Sequence, residues 1–237
     1  MQQAPYFYIN SFSPGTSLLS LDEENSRHAI QVLRLTKDDK VLLTDGKGHL
    51  LSATIMEDHR KHCQVTIETT QFFPRPEKQV TLAISLLKNR NRFEWLLEKV
   101  TELGVTRIIP LLCARTEKEN ARLDRMEAVL ISALLQSRQV WLPELMPPVP
   151  FNSIGDWKLR EGSNYIAYCE EVPKQSLSTL ITSSSLHSLI AIGPEGDFAP
   201  AEFTLAMEEN FVGVSLGNTR LRTETAGVAA VSLLCLS

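Results

Sequence analysis

The sequence predicts an α/β protein in two parts, a small β-barrel-like segment followed by a larger domain built on a mainly parallel sheet. Three observations predict it. The first ~75 residues alternate apolar and polar side chains and carry an Asp45-Gly46 turn between two apolar-rich runs. Phe73-Pro74-Arg75-Pro76-Glu77-Lys78 then interrupts the chain, because two prolines two apart fit neither a central strand nor a helix. Beyond it, continuous apolar runs alternate with stretches of 3.6-residue period, the pattern of strands buried on both faces between helices. The boundary therefore divides the chain into residues 1–74 and 75–237.

In the first part, Asp22-Glu23-Glu24 suits the positive end of a helix dipole, and Ala29, Ile30 and Leu33 recur at helical spacing, so Ser20–Leu33 is expected to hold a short helix. Val41–Thr44, Leu50–Ile55 and Val65–Thr70 read as strands, with Arg60-Lys61-His62 in a connecting turn. In the second part, Val80–Leu87 reads as a buried strand. Asn91–Leu103 reads as a helix with Phe93, Leu96, Leu97, Val100 and Leu103 on one face, stopped by Gly104. Val105–Leu112, Tyr165–Cys169, Leu189–Ile192 and Val212–Leu216 read as strands; Ala121–Arg138, Pro200–Glu209 and Thr225–Leu236 read as helices. Ser183-Ser184-Ser185 reads as a polar loop.

Composition bounds the function. The 237 residues are 43% hydrophobic and 22% charged, an ordinary globular balance. The longest apolar runs fall far short of the ~20 residues a membrane-spanning helix needs, and the N-terminus has no signal-peptide pattern. The four cysteines are far apart, with no CxxC, and the five histidines lack a metal-ligand spacing, so no metal site is expected. A net charge of −4 argues against coating nucleic acid by bulk charge and leaves room for a local basic patch. GxGxxG after a strand and GxxxxGK[ST] are both absent.

In open parallel sheets ligands bind beyond the carboxyl ends of strands. Three segments occupy such places: Glu170-Glu171 after Cys169, Gly193-Pro194-Glu195-Gly196-Asp197-Phe198 after Ile192, and Gly217 to Ala226 after Leu216. Glycines in the second would let backbone approach an adenine edge and ribose; the tetrapeptide by itself fits a plain turn with a solvated glutamate better. In the third, Arg220 and Arg222 flank Leu221 beside Glu224, which fits a pocket floor with charged walls; Thr223 or Thr225 is positioned to cap the helix that follows. Lys88-Asn89-Arg90-Asn91-Arg92 is a compact basic run, and Lys88, Arg92 and Lys99 fall on one helical stripe. It suits phosphate contact or, equally, a solvated helix face.

Taken in order, these pieces resemble one family. They are His28 with Val32-Leu33-Arg34-Leu35; Asp45-Gly46-Lys47-Gly48; Lys88 with Glu98 to Val105; Ile109-Pro110; Gln136-Ser137-Arg138; Ile192 to Gly196; and Leu216-Gly217 with Leu221 to Ala226. Together they resemble the bacterial 16S ribosomal RNA uridine-N3 methyltransferases, the RsmE family of the SPOUT superfamily, over nearly the whole chain. The chain departs from that pattern at Asp197, where the family usually has glycine, at Thr219-Arg220, where it has Arg-Ile, and at Leu135.

The resemblance implies a PUA-like N-terminal β-barrel that helps hold RNA, and a C-terminal α/β domain threaded through a trefoil knot. It implies a cytoplasmic homodimer that takes S-adenosyl-L-methionine and methylates a uridine of 16S rRNA in the small ribosomal subunit, with no membrane and no metal. Carried over residue by residue, Arg222 and Glu224 are the expected catalytic pair, Glu224 orienting Arg222 or accepting the proton. The cofactor is expected at Cys169, Ile192, Gly193, Glu195, Gly196, Leu216, Gly217, Leu221, Thr225 and Ala226, with Glu170 a further candidate. Arg34, Lys88, Arg92, Arg115, Arg138 and Arg220 are the expected RNA contacts. The competing readings are a SPOUT enzyme for another RNA position and an RNA-binding assembly protein without catalysis.

Overall fold

A computed structural model describes residues 4–117, 121–169, 174–181 and 186–237. The chain divides into two compact units, Met1–Arg75 with Leu134–Leu142, and Pro76–Ala133 with Pro143–Ser237.

The first unit holds β1 (Tyr6–Tyr8), β2 (Leu18–Ser20), α1 (Glu23–Arg27), β3 (Lys40–Thr44), β4 (His49–Glu57) and β5 (Gln64–Phe72). The five strands form one sheet in the order β1-β3-β4-β5-β2, with β1 parallel to β3 and the other neighbours antiparallel. The expected helix begins where Asp22 accepts a hydrogen bond from the Asn25 amide (2.8 Å), which satisfies an otherwise orphaned donor. Beyond Arg27 the helix widens to a π turn over His28–Val32. Alternation along β3, β4 and β5 places Val41, Leu43, Leu51, Ala53, Ile55 and Val65 in one core with Phe7, Leu21 and Ala29.

The expected Asp45-Gly46 hairpin connects β3 to β4 through four residues, Asp45–Gly48, rather than two. The longer turn has a partner. Gly48 N–H donates to Val140 C=O and Leu142 N–H to Gly46 C=O, both at 2.8 Å, and Lys47 forms an antiparallel bridge with Trp141. A side chain at Gly48 would put its Cβ 2.7 Å from the Trp141 ring, so the turn accepts the strap at residues 139–142 because glycine stands there.

The second unit alternates as predicted: β6 (Gln79–Ser85), α2 (Arg90–Glu102), β7 (Arg107–Leu112), α3 (Leu123–Ser137, whose last residues count with the first unit), β8 (Glu144–Leu145), β9 (Val149–Pro150), a 3-10 turn (Phe151–Ser153), α4 (Ile154–Trp157), β10 (Ser163–Ala167), β11 (Gln175–Ser176), α5 (Leu177–Leu180), β12 (His187–Ile192), α6 (Pro200–Glu208), β13 (Val212–Ser215) and α7 (Thr223–Leu236). The sheet runs β11-β13-β10-β12-β6-β7-β8, with β9 also on β7, and every pairing is parallel. The expected strand Val80–Leu87 ends at Ser85, and Tyr165–Cys169 lies two residues earlier, at Ser163–Ala167. Serine clusters at 183–185 and Glu170 lie outside the described residues.

Helices cover both faces of this sheet. On one side, α2 and α7 meet β6: Gly227 of α7 sits so close to Leu96 and Ile84 that an added Cβ would come within 2.8 and 2.9 Å of them. Ala83, Ile109, Leu111, Ile166, Leu189 and Ala191 pack with Phe151, Ile154, Phe198, Ala206 and Phe211 in the other layer. α7 is apolar nearly all round, TETAGVAAVSLLCL, as befits a helix buried against a sheet and a neighbour. Asn89 caps α2, accepting from the Asn91 and Arg92 amides, and Gly104 follows the helix at φ +93°, a conformation that suits glycine.

Candidate active site

β12, β10 and β13 are adjacent and parallel, so the turns that leave their carboxyl ends emerge at one edge of the sheet. Those turns surround a cleft of about 710 Å³. Its walls are Tyr168 and Cys169 after β10, Gly193–Glu195 and Asp197 after β12, and Leu216–Thr223 after β13, with Ala226 from α7, Lys174 and Arg92. The size is that of a small-molecule site.

Each turn is fixed by its own contacts. Asp197 stands at φ +65°, a left-handed conformation that asparagine and aspartate tolerate better than other side chains. Its carboxylate accepts from the Cys169 amide (2.8 Å) and from the Phe198 amide (2.9 Å), joining the β10 and β12 turns. Aspartate here holds a backbone conformation open to glycine and adds a cross-link. Arg115, three residues past β7, donates to the Gly196 carbonyl (2.6 Å) from outside the turn. Gly193 cannot carry a side chain without its Cβ meeting the Phe198 amide nitrogen at 3.0 Å. Gly217 adopts φ +132° with open space where a Cβ would be, so its constraint is conformational.

Arg222 is the N-cap residue of α7, in extended conformation, and its exposed side chain lines the cleft with Arg220. No side chain caps α7 there: the helix already includes Thr223, so the expected threonine cap is replaced by Arg222, whose carbonyl accepts from the Ala226 amide at 2.8 Å. Glu224 is 7% exposed in the first turn of the helix, where the dipole favours a carboxylate. Its ion-pair partner is Arg92 (Nε to Oε1, 3.7 Å), and its Oε2 has no hydrogen-bond partner among the described residues. Arg92 thus reaches the cleft wall from α2 while a buried carboxylate holds it. Burial, and secondarily the Asp197 charge, raise the Cys169 thiol above its usual range, so this wall carries a neutral thiol at pH 7.

The structure gathers most of the expected cofactor residues in the cleft: Cys169, Ile192, Gly193, Glu195, Leu216, Gly217, Leu221 and Ala226. Gly196 and Thr225 are not among its lining residues; Gly196 faces Arg115, and Thr225 is exposed on α7. The expected basic stripe of α2 disperses. Lys88 precedes the Asn89 cap and pairs with Glu117 (2.6 Å), Lys99 pairs with Glu98 and Glu102, and Arg92 alone of the three lines the cleft. Arg34 and Arg138 are exposed residues of the first unit, both at φ +57°. Sequence reasoning missed Asp197, Lys174 and Tyr168 as wall residues. For Asp197 a signal existed, since aspartate is a common non-glycine occupant of left-handed turns.

A parallel sheet with a ligand cleft made of three such turns, joined to a separate small β-sheet unit, defines a class of protein. Residues 74–235 match the family described as RNA methyltransferase domain, and residues 21–68 match that described as RNA methyltransferase PUA domain. The ribosomal RNA small subunit methyltransferase E of Rickettsia conorii is 30% identical, over 95% of this chain and 92% of its own length. A probable rRNA methyltransferase from Porphyromonas gingivalis superposes with a TM-score of 0.88 at 33% identity, covering 96% of this chain and 95% of that one. The ribosomal RNA small subunit methyltransferase E of Neisseria gonorrhoeae, solved bound to S-adenosyl methionine, gives a TM-score of 0.87 at 29% identity, covering 97% and 96%. The chain belongs to the ribosomal RNA small subunit methyltransferase E family.

Proposed function

We propose that the protein transfers a methyl group from S-adenosyl-L-methionine to N3 of a uridine in 16S rRNA. The single observation that carries this reading is the glycine-built cleft at the carboxyl edge of β12, β10 and β13, in a chain of this family. The cleft fits the donor. Ile192, Leu216, Leu221 and Ala226 offer apolar surface to an adenine, and Gly193 and Gly217 leave the backbone open to close approach. When bound, S-adenosyl-L-methionine supplies an electrophilic methyl group on a sulfonium centre.

The acceptor sets the demand on the protein. Uracil N3 is a poor nucleophile until its proton leaves, and it lies on the pairing edge, so the base must be unpaired or flipped out. Arg222, exposed on the cleft wall, stabilises the negative charge that develops on the uracil carbonyls. Glu224 positions Arg92 beside it rather than Arg222, and this buried carboxylate holds one half-exposed guanidinium on the cleft wall. In this reading Arg220 and Arg92, which line the cleft, meet phosphate, and Arg115 holds the Gly196 turn. Arg34, Arg138 and Lys88 are further RNA contacts in this reading, with the family's PUA domain as the RNA-holding part.

The same reading carries the trefoil knot, supported by a strand order in which β13 lies between β10 and β11. It carries a homodimer, supported by Trp95 of α2 and Leu123 of α3 standing exposed on the second unit. It also carries a cytoplasmic setting, where the small ribosomal subunit is made; among the described residues no helix is long and apolar enough to cross a membrane.

Methyl transfer from labelled S-adenosyl-L-methionine to small subunits lacking the mark, with the modified nucleotide then mapped, tests the reading. Arg222→Ala is expected to lower kcat by roughly 10²–10³, the usual effect of removing one donor to a developing oxyanion, while calorimetry shows cofactor binding retained. Transfer at the parent rate would remove Arg222 from the mechanism.

A further inference from the structure

The first unit carries a row of rings outside its fully buried core. His49 and Phe72 stand directly opposite one another in the β4–β5 register, so their side chains share one face of the sheet. Their ring centroids are 5.2 Å apart; Phe12 lies 5.2 Å from His49 on one side and Trp141 lies 6.3 Å from Phe72 on the other. Phe72 is nonetheless 56% exposed; His49, Phe72 and Trp141 stand outside the buried core of the unit, and Phe12 packs, partly buried, against it.

The row is held in place. Asp45, buried beneath it, puts its Oδ2 2.7 Å from His49 Nδ1 and so fixes the imidazole plane. Trp141 Nε1 donates to the carbonyls of Phe73 (3.1 Å) and Pro74 (3.2 Å), and the strap that carries Trp141 is seated in the turn that Gly46 and Gly48 open. Two cations flank the rings. The Arg75 guanidinium lies 5.4 Å from the Trp141 ring centroid, and Lys47 is exposed on the turn bridged to Trp141. Neither is paired with a carboxylate among the described residues.

One exposed ring, Phe72, in an immobilised row of half-buried rings beside unpaired cations suits one kind of ligand. An apolar protein surface would leave both cations desolvated and unmatched. Unpaired RNA bases have faces that stack on such rings, and the phosphates between them meet the cations. We propose that Phe12, His49, Phe72 and Trp141, with Lys47 and Arg75, form a stacking platform for unpaired bases of the RNA substrate, set on the first unit and distinct from the cleft. The proposal rests on the reading that the substrate is RNA.

Phe72 decides it, because it is exposed and can be changed without opening a core cavity. The full-length protein is titrated with a short, unstructured, fluorescently labelled oligouridine RNA, and separately assayed for methyl transfer to unmethylated small subunits. Phe72→Ala should weaken oligonucleotide binding and raise the KM for subunits by roughly five- to hundred-fold, the measured range for one lost base stack. The kcat, cofactor affinity and melting midpoint should hold. Phe72→Tyr should restore both values, and Phe72→Leu, apolar but without a plane, should not. The Lys47→Ala/Arg75→Ala double variant should flatten the salt dependence of binding by about two phosphate contacts. Phe72→Leu binding as well as the parent, or Phe72→Ala leaving binding unchanged, overturns the platform. A parent protein that transfers no methyl to any subunit would instead sink the proposed reaction, and the oligonucleotide series would still decide the platform.

Discussion

Cys169 shows how one residue of the cleft is tuned. Its amide is tied to Asp197, and its thiol, pushed up first by burial and then by that carboxylate, is exposed where Cys63 and Cys113 are buried and raised to about 11 and about 12. A raised thiol is protonated at neutral pH, and only the thiolate is alkylated. Iodoacetamide labelling followed by mass spectrometry should therefore mark Cys169 before Cys63 and Cys113. The rate should be slow at pH 7 and rise through pH 9, and S-adenosyl-L-methionine should protect it. Labelling of Cys113 ahead of Cys169 would contradict the placement of the β10 turn on the cleft wall. At this scale the sequence was informative about identity and silent about pairing. Eight of the ten expected cofactor residues line the cleft because glycine-containing turns after apolar strands are a local signal. Glu224 was legible as a residue beside two arginines, yet its partner is Arg92 from a distant helix, and no spacing rule reports such a contact.

Among the elements, the α2–α7–β6 contact is packed closely around a glycine. Gly227 lies in the middle of α7, where glycine costs about 1 kcal/mol relative to alanine, and its hydrogen is what lets the helix approach Leu96 and Ile84. Gly227→Ala gains that propensity and meets only the methyl ends of two side chains, so its net effect on stability should stay within about 1 kcal/mol. Gly227→Val brings two more methyl groups into a closed site and should destabilise by about 1–3 kcal/mol. Urea unfolding of the two variants checks both figures, and equal midpoints for Val and the parent would refute the close approach. Long, periodic elements were legible: α2 departs from its expected bounds by one residue at each end, and β3 to β7 lie where alternation or apolar runs put them. The two-residue strands β8, β9 and β11 and the four-residue helices α4 and α5 were not, since so short a piece shows neither period. The π turn over His28–Val32 has the same cause, because one widened turn leaves the apolar spacing almost unchanged.

For the molecule as a whole, the proline-rich break at residues 73–78 predicts one division, and the first unit in the structure also claims Leu134–Leu142. Nothing in that stretch announces membership. It follows a helix without an alternating pattern, and its seat in the Asp45–Gly48 turn depends on two glycines ninety-odd residues earlier, by roughly the loop-closure logic that makes long-range pairings invisible locally. A fragment ending at Arg75 keeps the five strands and loses the backbone bonds to Val140 and Leu142 together with the Trp141 ring. It should melt well below the same unit in the intact protein, and circular dichroism of fragment and full chain makes the comparison. A fragment as stable as the parent unit would show the strap to be decoration. Gly48→Ala in the full chain, with its added methyl driven into Trp141, should mimic part of that loss.

The strap also ties the order of synthesis to the order of assembly. A nascent chain that has released its first five strands still lacks the piece that closes over their hairpin. At about 5–20 residues per second, emergence of the interval from Arg75 to Leu142 takes roughly 3–13 s. For that interval the amino-terminal sheet waits, partly clothed, while the parallel sheet's first strands are synthesised.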